Sequence, residues 1–525
     1  MTAPVAEDAG ALSDGEVLRP TVCIIGAGAA GLTLGTALAE RGIPTLILEA
    51  GGERPDRAGQ AACRAERSGT PNHSYAYSRF RALGGSTVFW TGQCVELEEA
   101  DFTGRAPGVP AWPIAKSDLA EGYARAARLL DLPENGAVRA RLDPGDALPQ
   151  GQAALAEVRL TAVGNFADHL LAPGRPAPRI LLGAAVTDLT LDAQHRRVEA
   201  VTARLPGNRS LRCEPALTVL ATGGVENARL LLAANRQMPK GIGNGHDLVG
   251  RFFMDHAYMD AGVVSGTAPA LARLTIPSLA AQRQAAGGFL ALRLRPEGAN
   301  AAAAFFTEQP DYVLHPRVAT DQGQALARLA QIARGERFRD ADTWGDLAAL
   351  ARRPDRTAAL IALRALTAAR GGRRTALRLF AETTPDPESR VHLSAERDAL
   401  GLPRAAVHWQ VPEADKAGPG RLLAEIRQRL AATGTTITGP GIGPGQPWPA
   451  SLTGGKHHMG TTRMAARPEE GVVDAQARVH GIANLYIAGS SVFPTPGWAN
   501  PTLTIVALAL RLADRIADVL ASSEP

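Results

Sequence analysis

The feature that most limits what this chain can fold into is a short apolar run, Thr21-Val22-Cys23-Ile24-Ile25, that passes without a break into Gly26-Ala27-Gly28-Ala29-Ala30-Gly31. An unbroken apolar run of this length suits a strand buried on both faces, as in a parallel sheet. Leu32, Leu34, Ala37, Leu38 and Ala39 then supply the apolar face of a helix that Arg41-Gly42 ends, and Pro44-Thr-Leu-Ile-Leu-Glu49 reads as a second strand. Strand, glycine turn, helix and strand make a βαβ unit with an acid closing its second strand, the full context of a dinucleotide-binding fingerprint. Gly26 permits the tight turn, Gly28 lets a pyrophosphate approach the backbone at the helix N-terminus, Gly31 lets the helix pack closely, and Glu49 can accept ribose hydroxyls. FAD and NAD share this pattern, so the fingerprint alone does not choose between them.

With 525 residues, the chain exceeds what one hydrophobic core usually organises, so two domains, or one large domain with an insertion, are expected. Its hydrophobic share of 45% and charged share of 21% exclude bulk disorder. The net charge of +4 rests almost wholly on arginine, with lysine only at Lys116, Lys240, Lys416 and Lys456, and aromatics are 5% of the chain. Without basic residues clustered with aromatics on a recognisable module, no nucleic-acid partner is expected. Cys23, Cys63, Cys94 and Cys213 lie far apart with no histidine at ligand spacing, so no metal site is expected and a reducing, cytoplasmic setting is. The segment up to Pro20 has no apolar signal-peptide core, and no stretch reaches the roughly 18 apolar residues of a transmembrane segment.

Further along, residues 70–105 read as a Gly/Ser/Thr/aromatic loop around Leu83-Gly84-Gly85-Ser86-Thr87-Val88-Phe89-Trp90. A helix is predicted over Ser117–Leu130 with Ser117 as its cap, strands as in a β-meander over Arg179–Ala203, and a buried strand Ala216–Ala221 leading through Thr222-Gly-Gly into a helix Val225–Ala234. Strands are expected near 286–294 and 404–411, and helices near 324–333, 357–369 and 418–432. The stretch Arg317 to Arg378 holds far more arginine than acid and reads as a solvated helical insertion, with a docking surface as the alternative. Asn484–Gly489 reads as another buried strand, Ser490–Ala499 as a Pro/Gly-punctuated loop, and Pro501–Leu520 as a long amphipathic helix.

The C-terminal wording resembles the glucose-methanol-choline (GMC) oxidoreductase family. The resemblance is carried by Lys456-His457-His458-Met-Gly460-Thr461-Thr-Arg463-Met464, Gly471-Val-Val-Asp474, Arg478-Val-His-Gly481 and Asn484-Leu-Tyr-Ile-Ala-Gly489-Ser-Ser-Val-Phe-Pro-Thr-Pro-Gly-Trp-Ala-Asn500-Pro-Thr-Leu-Thr504, and it is supported by the fingerprint, Gly84–Thr87 and Ala221–Gly224. It is similar in motif wording to sugar- and glycoside-oxidising members, and residues 260–450 carry least of it.

The resemblance implies an α/β (α+β overall) fold. A Rossmann-like FAD-binding domain would be assembled from 15–105, 175–260 and 455–525, and a substrate domain with an antiparallel sheet flanked by helices from 106–174 and 261–454, with the Arg-rich insertion at about 317–378. It implies FAD as cofactor, surrounded by Gly26, Gly28, Ala29, Ala30 and Gly31, by Glu49 and Ala50, by Gly84, Gly85, Ser86 and Thr87, by Val186, Ala221 and Gly223, and by Gly489, Ser490 and Thr502. Some members attach FAD through a histidine in the loop equivalent to Gly84–Trp90; this loop has none, so noncovalent FAD is expected, with His73 as a remote alternative attachment point.

His457 falls where the family carries its catalytic histidine and Asn500 where it carries a second His or an Asn. A neutral imidazole suits removal of an alcohol proton, and a carboxamide can donate to the developing alkoxide. Asn500 followed by Pro501 also suits a helix cap, so the same amide has two competing uses. Unpaired N–H groups at Thr502 and Leu503 would favour negative charge on a reduced ring. His458 lacks a third ligand for a metal and reads as a supporting or backbone-bonded histidine, with a substrate contact as the alternative, and His256, in Gly250-Arg-Phe-Phe-Met-Asp-His256, as a satisfied structural one. The expected activity is FAD-dependent oxidation of the CH–OH group of a sugar, glycoside or polyol, with dioxygen or another acceptor. The alternatives are a non-redox lyase of the same family and the flavoprotein subunit of a membrane-associated dehydrogenase complex.

Overall fold

A computed structural model describes residues 6–72, 75, 78–104, 110–266, 269–294, 301–308, 325–326, 329, 341–369 and 374–522. At its centre the run Val22–Ile25, with every side chain buried, lies between Thr45–Glu49 and Leu217–Leu220 in a six-stranded sheet. Leu485–Ile487 closes one edge, and Arg179–Leu182 followed by Ala6–Asp8 closes the other, all parallel. Except at the edge strand Ala6–Asp8, these strands carry buried aliphatic side chains on both faces, which is why their sequences read as largely continuous apolar runs. The helices Ala29–Ala39 and Thr502–Ala521 pack on each other although more than four hundred residues separate them.

A second sheet orders Glu16–Leu18, Arg209–Cys213, Val198–Leu205 and Ala185–Leu191. The meander expected over Arg179–Ala203 is therefore divided. Arg179–Leu182 joins the parallel sheet beside Thr45–Glu49, and only Ala185–Leu191 and Val198–Leu205 pair antiparallel. The physical reason lies in Ile180-Leu181-Leu182, an apolar run buried on both faces rather than alternating.

The largest sheet has nine strands. Its main path runs antiparallel through Thr436–Thr438, Ala257–Ser265, Arg374–Ala381, Ala301–Glu308, Gly288–Arg293, Ala154–Leu160 and Gln93–Cys94. Arg374–Ala381 is flanked on both sides, so the C-terminal end of the Arg-rich stretch is strand, not helical insertion, and Arg378 bonds Oδ1 of Asp260, its partner on the neighbouring strand, at 3.0 Å. The helices Ala341–Arg352 and Pro354–Ala369 precede it, while the expected helix at 324–333 lies outside the described residues except at 325, 326 and 329. A third antiparallel pair, Arg390–Arg397 with Pro403–Trp409, extends in parallel onto Ala65–Gly69.

Two local expectations need correction. Ser117 does not cap the helix. A 3-10 turn, Lys116–Leu119, comes first, Asp118 accepts the Ala115 N–H at 2.8 Å, and the α-helix occupies Ala120–Leu129. The stretch 70–105 is also less irregular than expected, with a 3-10 turn Gly85–Phe89, a short strand Gln93–Cys94 and a helical turn Glu99–Phe102. Among the described residues no helix is long and apolar enough to cross a membrane.

Candidate active site

The chemistry-bearing segments meet around one cavity of about 1380 Å³ at the C-terminal ends of the parallel strands. Gly26 turns there with φ 104°, a left-handed conformation that a side chain would strain. Glu49 holds the turn in place: one carboxylate oxygen accepts the Ala27 N–H and the other the Gly51 N–H, each at 2.8 Å. Its carboxylate keeps acceptor capacity beside the cavity it lines. A Cβ on Gly31 would lie 1.9 Å from the Gly26 carbonyl oxygen, so helix and turn touch through bare backbone. A Cβ on Gly28 would meet nothing within 4 Å and stand in the cavity.

The loop after Leu83 folds back on this turn. Gly84 N–H donates to the Ala27 carbonyl at 2.9 Å, and a Cβ on Gly85 would lie 2.8 Å from the Gly28 Cα. The Thr87 hydroxyl donates to the Gly84 carbonyl at 2.6 Å and accepts the Phe166 N–H, which fixes the loop, while Ser86 is exposed at the cavity.

His457 arrives from a bulged antiparallel crossing. Met254 and Met459 exchange both backbone hydrogen bonds, at 3.0 and 2.9 Å, and Ala257 pairs with Gly454. Between those two pairs one segment has Asp255 and His256, and the other has Gly455, Lys456, His457 and His458. The two extra residues bulge, with Lys456 at φ 66°, and such a bulge re-aims the side chain it carries. Asp255 satisfies the freed backbone, its Oδ1 accepting from Gly455 N–H at 3.0 Å and His457 N–H at 2.8 Å. His457 Nδ1 lies 2.7 Å from His256 Nδ1, and His256 Nε2 lies 2.9 Å from the Gly497 carbonyl. The other ring nitrogen of His457 makes no protein hydrogen bond among the described residues, and the residue lines the cavity.

Burial drives the titration of this cluster. His457 is pushed well below the usual imidazole value by desolvation, then by His256, His458 and Lys456. Desolvation also lowers His256 to about 4, against the opposing carbonyls of Gly497 and Pro496, and raises Asp255 to about 6 despite the N–H groups it accepts. Both imidazoles are therefore neutral near pH 7.

Asn500 lines the same cavity and its amide has no protein hydrogen bond among the described residues. The helix begins at Thr502 with Pro501 in the cap position and no side-chain cap, so the amide of Asn500 is not spent on the helix terminus. Beyond the fingerprint, Glu226 is gripped by Arg79, Arg81 and Arg229, and Arg229 also reaches Asp398 at 2.6 Å. Burial raises the carboxyl of Glu226, but the three guanidinium groups outweigh it and hold it well below the usual carboxylate range.

Comparison with known proteins agrees with this geometry. Residues 385–509 match the family described as GMC oxidoreductase, and residues 19–68 match the FAD binding domain. The C-terminal part of the chain thus carries a GMC oxidoreductase domain. Among its relatives, it is 29% identical to the fructose dehydrogenase large subunit of Gluconobacter japonicus over 64% of this chain and 54% of that protein. It is 25% identical to the 6'''-hydroxyparomomycin C oxidase of Streptomyces lividus over 95% of this chain and 92% of that one. Among solved structures, pyridoxine 4-oxidase from Mesorbium loti superposes with a TM-score of 0.58 at 17% identity, over 95% of this chain and 99% of that one, a likeness of fold.

The residues present around the cavity fit FAD. Gly28 leaves bare backbone and open space at a helix N-terminus, as a pyrophosphate requires, and Glu49 keeps acceptor capacity at the end of the neighbouring strand. Ala29, Ala30, Ala50, Gly85, Ser86, Thr87, Val186, Ala221, Gly223, Gly489, Ser490 and Thr502 line the same cavity as Gly26, Gly28, Glu49, His457 and Asn500. Gly31 and Gly84 do not. Gly31 acts behind the wall as helix contact, and Gly84 turns the loop with φ 95°, its Cβ direction filled by Asn165. His458 also lines the cavity. Its ring packs against Tyr75 and Phe253, with Nε2 3.4 Å from the Ser78 hydroxyl, and its carbonyl accepts from Ser490 Oγ at 2.8 Å. His73 lies outside the described residues. Sequence reasoning missed Asp255 and the arginine cage of Glu226; the segment Gly250–His256 did hold a signal, since it shares wording with the family.

Proposed function

We propose that this protein oxidises a CH–OH group of a sugar, glycoside or polyol to a carbonyl, with noncovalently held FAD. The observation that carries the reading is the pair of unspent polar groups on one cavity wall system: a bare imidazole nitrogen of His457 and the free amide of Asn500, in the same space as the Gly28 backbone and Glu49. Bound FAD supplies the acceptor for the hydride that leaves the substrate carbon, at N5 of its ring. His457 takes the hydroxyl proton, a role its neutral state at pH 7 permits. Asn500 donates to the substrate oxygen as charge develops there and holds it against the imidazole. The N-terminus of Thr502–Ala521, which reaches the cavity at Thr502, favours negative charge in its vicinity. The absence of histidine from Gly84–Trp90 supports noncovalent attachment, the fructose-named relative supports a carbohydrate substrate, and four free, buried cysteines support a cytoplasmic setting.

The test is anaerobic bleaching of the bound flavin across a panel of sugars, glycosides, polyols and choline, with His457→Ala alongside the parent. Bleaching by carbohydrate alcohols that is lost in the variant is the expected result. Equal bleaching of parent and variant removes His457 as the base, and a flavin that no alcohol bleaches favours the lyase reading.

A further inference from the structure

The contact between His256 and His457 decides more than packing. A carbonyl oxygen can only accept, so the 2.9 Å contact of His256 Nε2 with Gly497 requires the proton of His256 to be on Nε2. A neutral imidazole has one proton, which leaves Nδ1 of His256 as a lone pair. The 2.7 Å separation of the two Nδ1 atoms needs one hydrogen between them, and His256 has none to give. The proton must come from His457. Its Nδ1 is then the donor, and its Nε2 carries the lone pair.

The arrangement is anchored at both ends. Gly497 sits at φ 58°, where a Cβ would lie 2.6 Å from Leu97 Cδ2 and 3.1 Å from Asp101 Oδ2, so its carbonyl has little room to turn. The ring of His256 is 1% exposed. Its neighbour Asp255 spends its Oδ1 on the backbone N–H groups of Gly455 and His457 and its Oδ2 on Asn72, rather than on the imidazole. Among the described residues no negatively charged group is hydrogen-bonded to the imidazole of His256 to favour its doubly protonated form, which would reverse the direction of the shared hydrogen bond.

We propose that His256 is a positioning residue that fixes His457 in the Nδ1-protonated tautomer, so that Nε2 is the proton-accepting atom facing the substrate. The proposal rests on the reading of His457 as the base. As His457 becomes a cation during the reaction, the lone pair of His256 continues to accept from its Nδ1, which stabilises the positive charge without moving a second proton. An orienting partner of this kind can matter greatly: holding a catalytic histidine in the wrong tautomer costs about 10⁴-fold in the serine protease triad.

The test uses histidine ¹⁵N-labelled holoenzyme without substrate, in parent, His256→Asn and His256→Leu forms. The expected parent spectrum shows His457 protonated at Nδ1 and bare at Nε2. The carboxamide oxygen of Asn can replace the lone pair, so that variant keeps the tautomer, while Leu yields a mixture. Both variants remove the bond to Gly497, which separates the tautomer effect from loss of that anchor. Under anaerobic reduction by a productive alcohol, His256→Leu should slow flavin reduction by about 10-fold or more with substrate affinity nearly unchanged, and His256→Asn should recover most of the rate. A parent spectrum with His457 protonated at Nε2 overturns the proposal, as does equal slowing by Asn and Leu or no slowing by Leu. If no alcohol bleaches the parent flavin, the proposed activity fails, yet the resting-state spectrum still decides the tautomer.

Discussion

Two glycines three residues apart let the fold and the cofactor roles of the fingerprint be separated by experiment. In Gly31→Ala the new methyl would stand 1.9 Å from the Gly26 carbonyl oxygen and 3.1 Å from its carbon. Ordinary contacts need about 3.5 Å, so the helix Ala29–Ala39 or the turn must move by more than 1 Å within a packed layer, and the cost should exceed the usual overpacking range, at about 4 kcal/mol. In Gly28→Ala the backbone is already extended, at φ −84° and ψ −168°, and the methyl meets no protein atom within 4 Å. The apoprotein should therefore be as stable as the parent or gain about 0.5 kcal/mol from a less flexible unfolded chain. The methyl does, however, stand where the pyrophosphate must approach the helix N-terminus, and a loss of about 1.5 to 3 kcal/mol corresponds to roughly 10- to 150-fold weaker FAD binding. Thermal unfolding of the apoproteins and titration with FAD, followed by quenching of flavin fluorescence, measure the two quantities independently. Parental FAD affinity in Gly28→Ala, or a parental unfolding midpoint in Gly31→Ala, refutes the assignment.

Asn500→Ala should reduce the anaerobic flavin reduction rate by about 10²- to 10³-fold while leaving FAD content and the unfolding midpoint unchanged, because its amide, at the cavity, has no protein hydrogen bond among the described residues. Glu226→Gln should destabilise the protein by about 3 to 5 kcal/mol in urea unfolding, since it leaves Arg79, Arg81 and Arg229 facing one another without their shared carboxylate. His256 titrates at about 4 in the fold against 6.5 when unfolded, so its contribution is complete above pH 6.5 and is lost as pH falls to about 4. Asp255, raised to about 6, acts in the opposite sense, its contribution being present below 3.8 and lost as pH rises through about 6. His256→Asn should therefore gain on the parent by about 3 kcal/mol between pH 7 and pH 4, and Asp255→Asn should gain on it as pH rises across 4 to 7. Urea midpoints at each pH check both signs.

What the sequence makes legible is what lies close together along it. Gly26, Gly28, Gly31 and Glu49 occupy one βαβ unit, where each residue's reason is local, and His457 and Asn500 stand in recognisable wording. The unread parts depend on pairings between distant segments. That His256 touches His457 follows from the register of Met254 against Met459 and from the two extra residues that bulge beside them, and neither is encoded within a window around either histidine. His256 does satisfy one ring nitrogen on a backbone carbonyl, as a structural histidine should, but its other nitrogen is what matters. Likewise Arg374–Ala381 looks like the end of a basic helical stretch until its neighbours Ala257–Ser265 and Ala301–Glu308 are seen on either side.

The loop from Gly489 to Asn500 shows why so much wording is concentrated near the C-terminus. Gly489 and Ser490 line the cavity at one end, Asn500 presents its amide at the other, and Gly497 between them fixes the ring of His256 and through it the proton of His457. The loop is held in turn by bonds to distant segments, among them Ser490 Oγ to the His458 carbonyl, Asn227 Nδ2 to Ser491 Oγ at 2.9 Å, Thr495 Oγ1 to the Asp101 carbonyl at 2.9 Å, and Trp112 Nε1 to Thr495 Oγ1 at 2.8 Å. On the proposed reading, cofactor wall, base and substrate positioner are therefore set by one segment rather than adjusted separately. Once a small residue is required where Leu97 and Asp101 crowd Gly497, and an amide where the helix Thr502–Ala521 reaches the cavity, little freedom remains for the residues that join them.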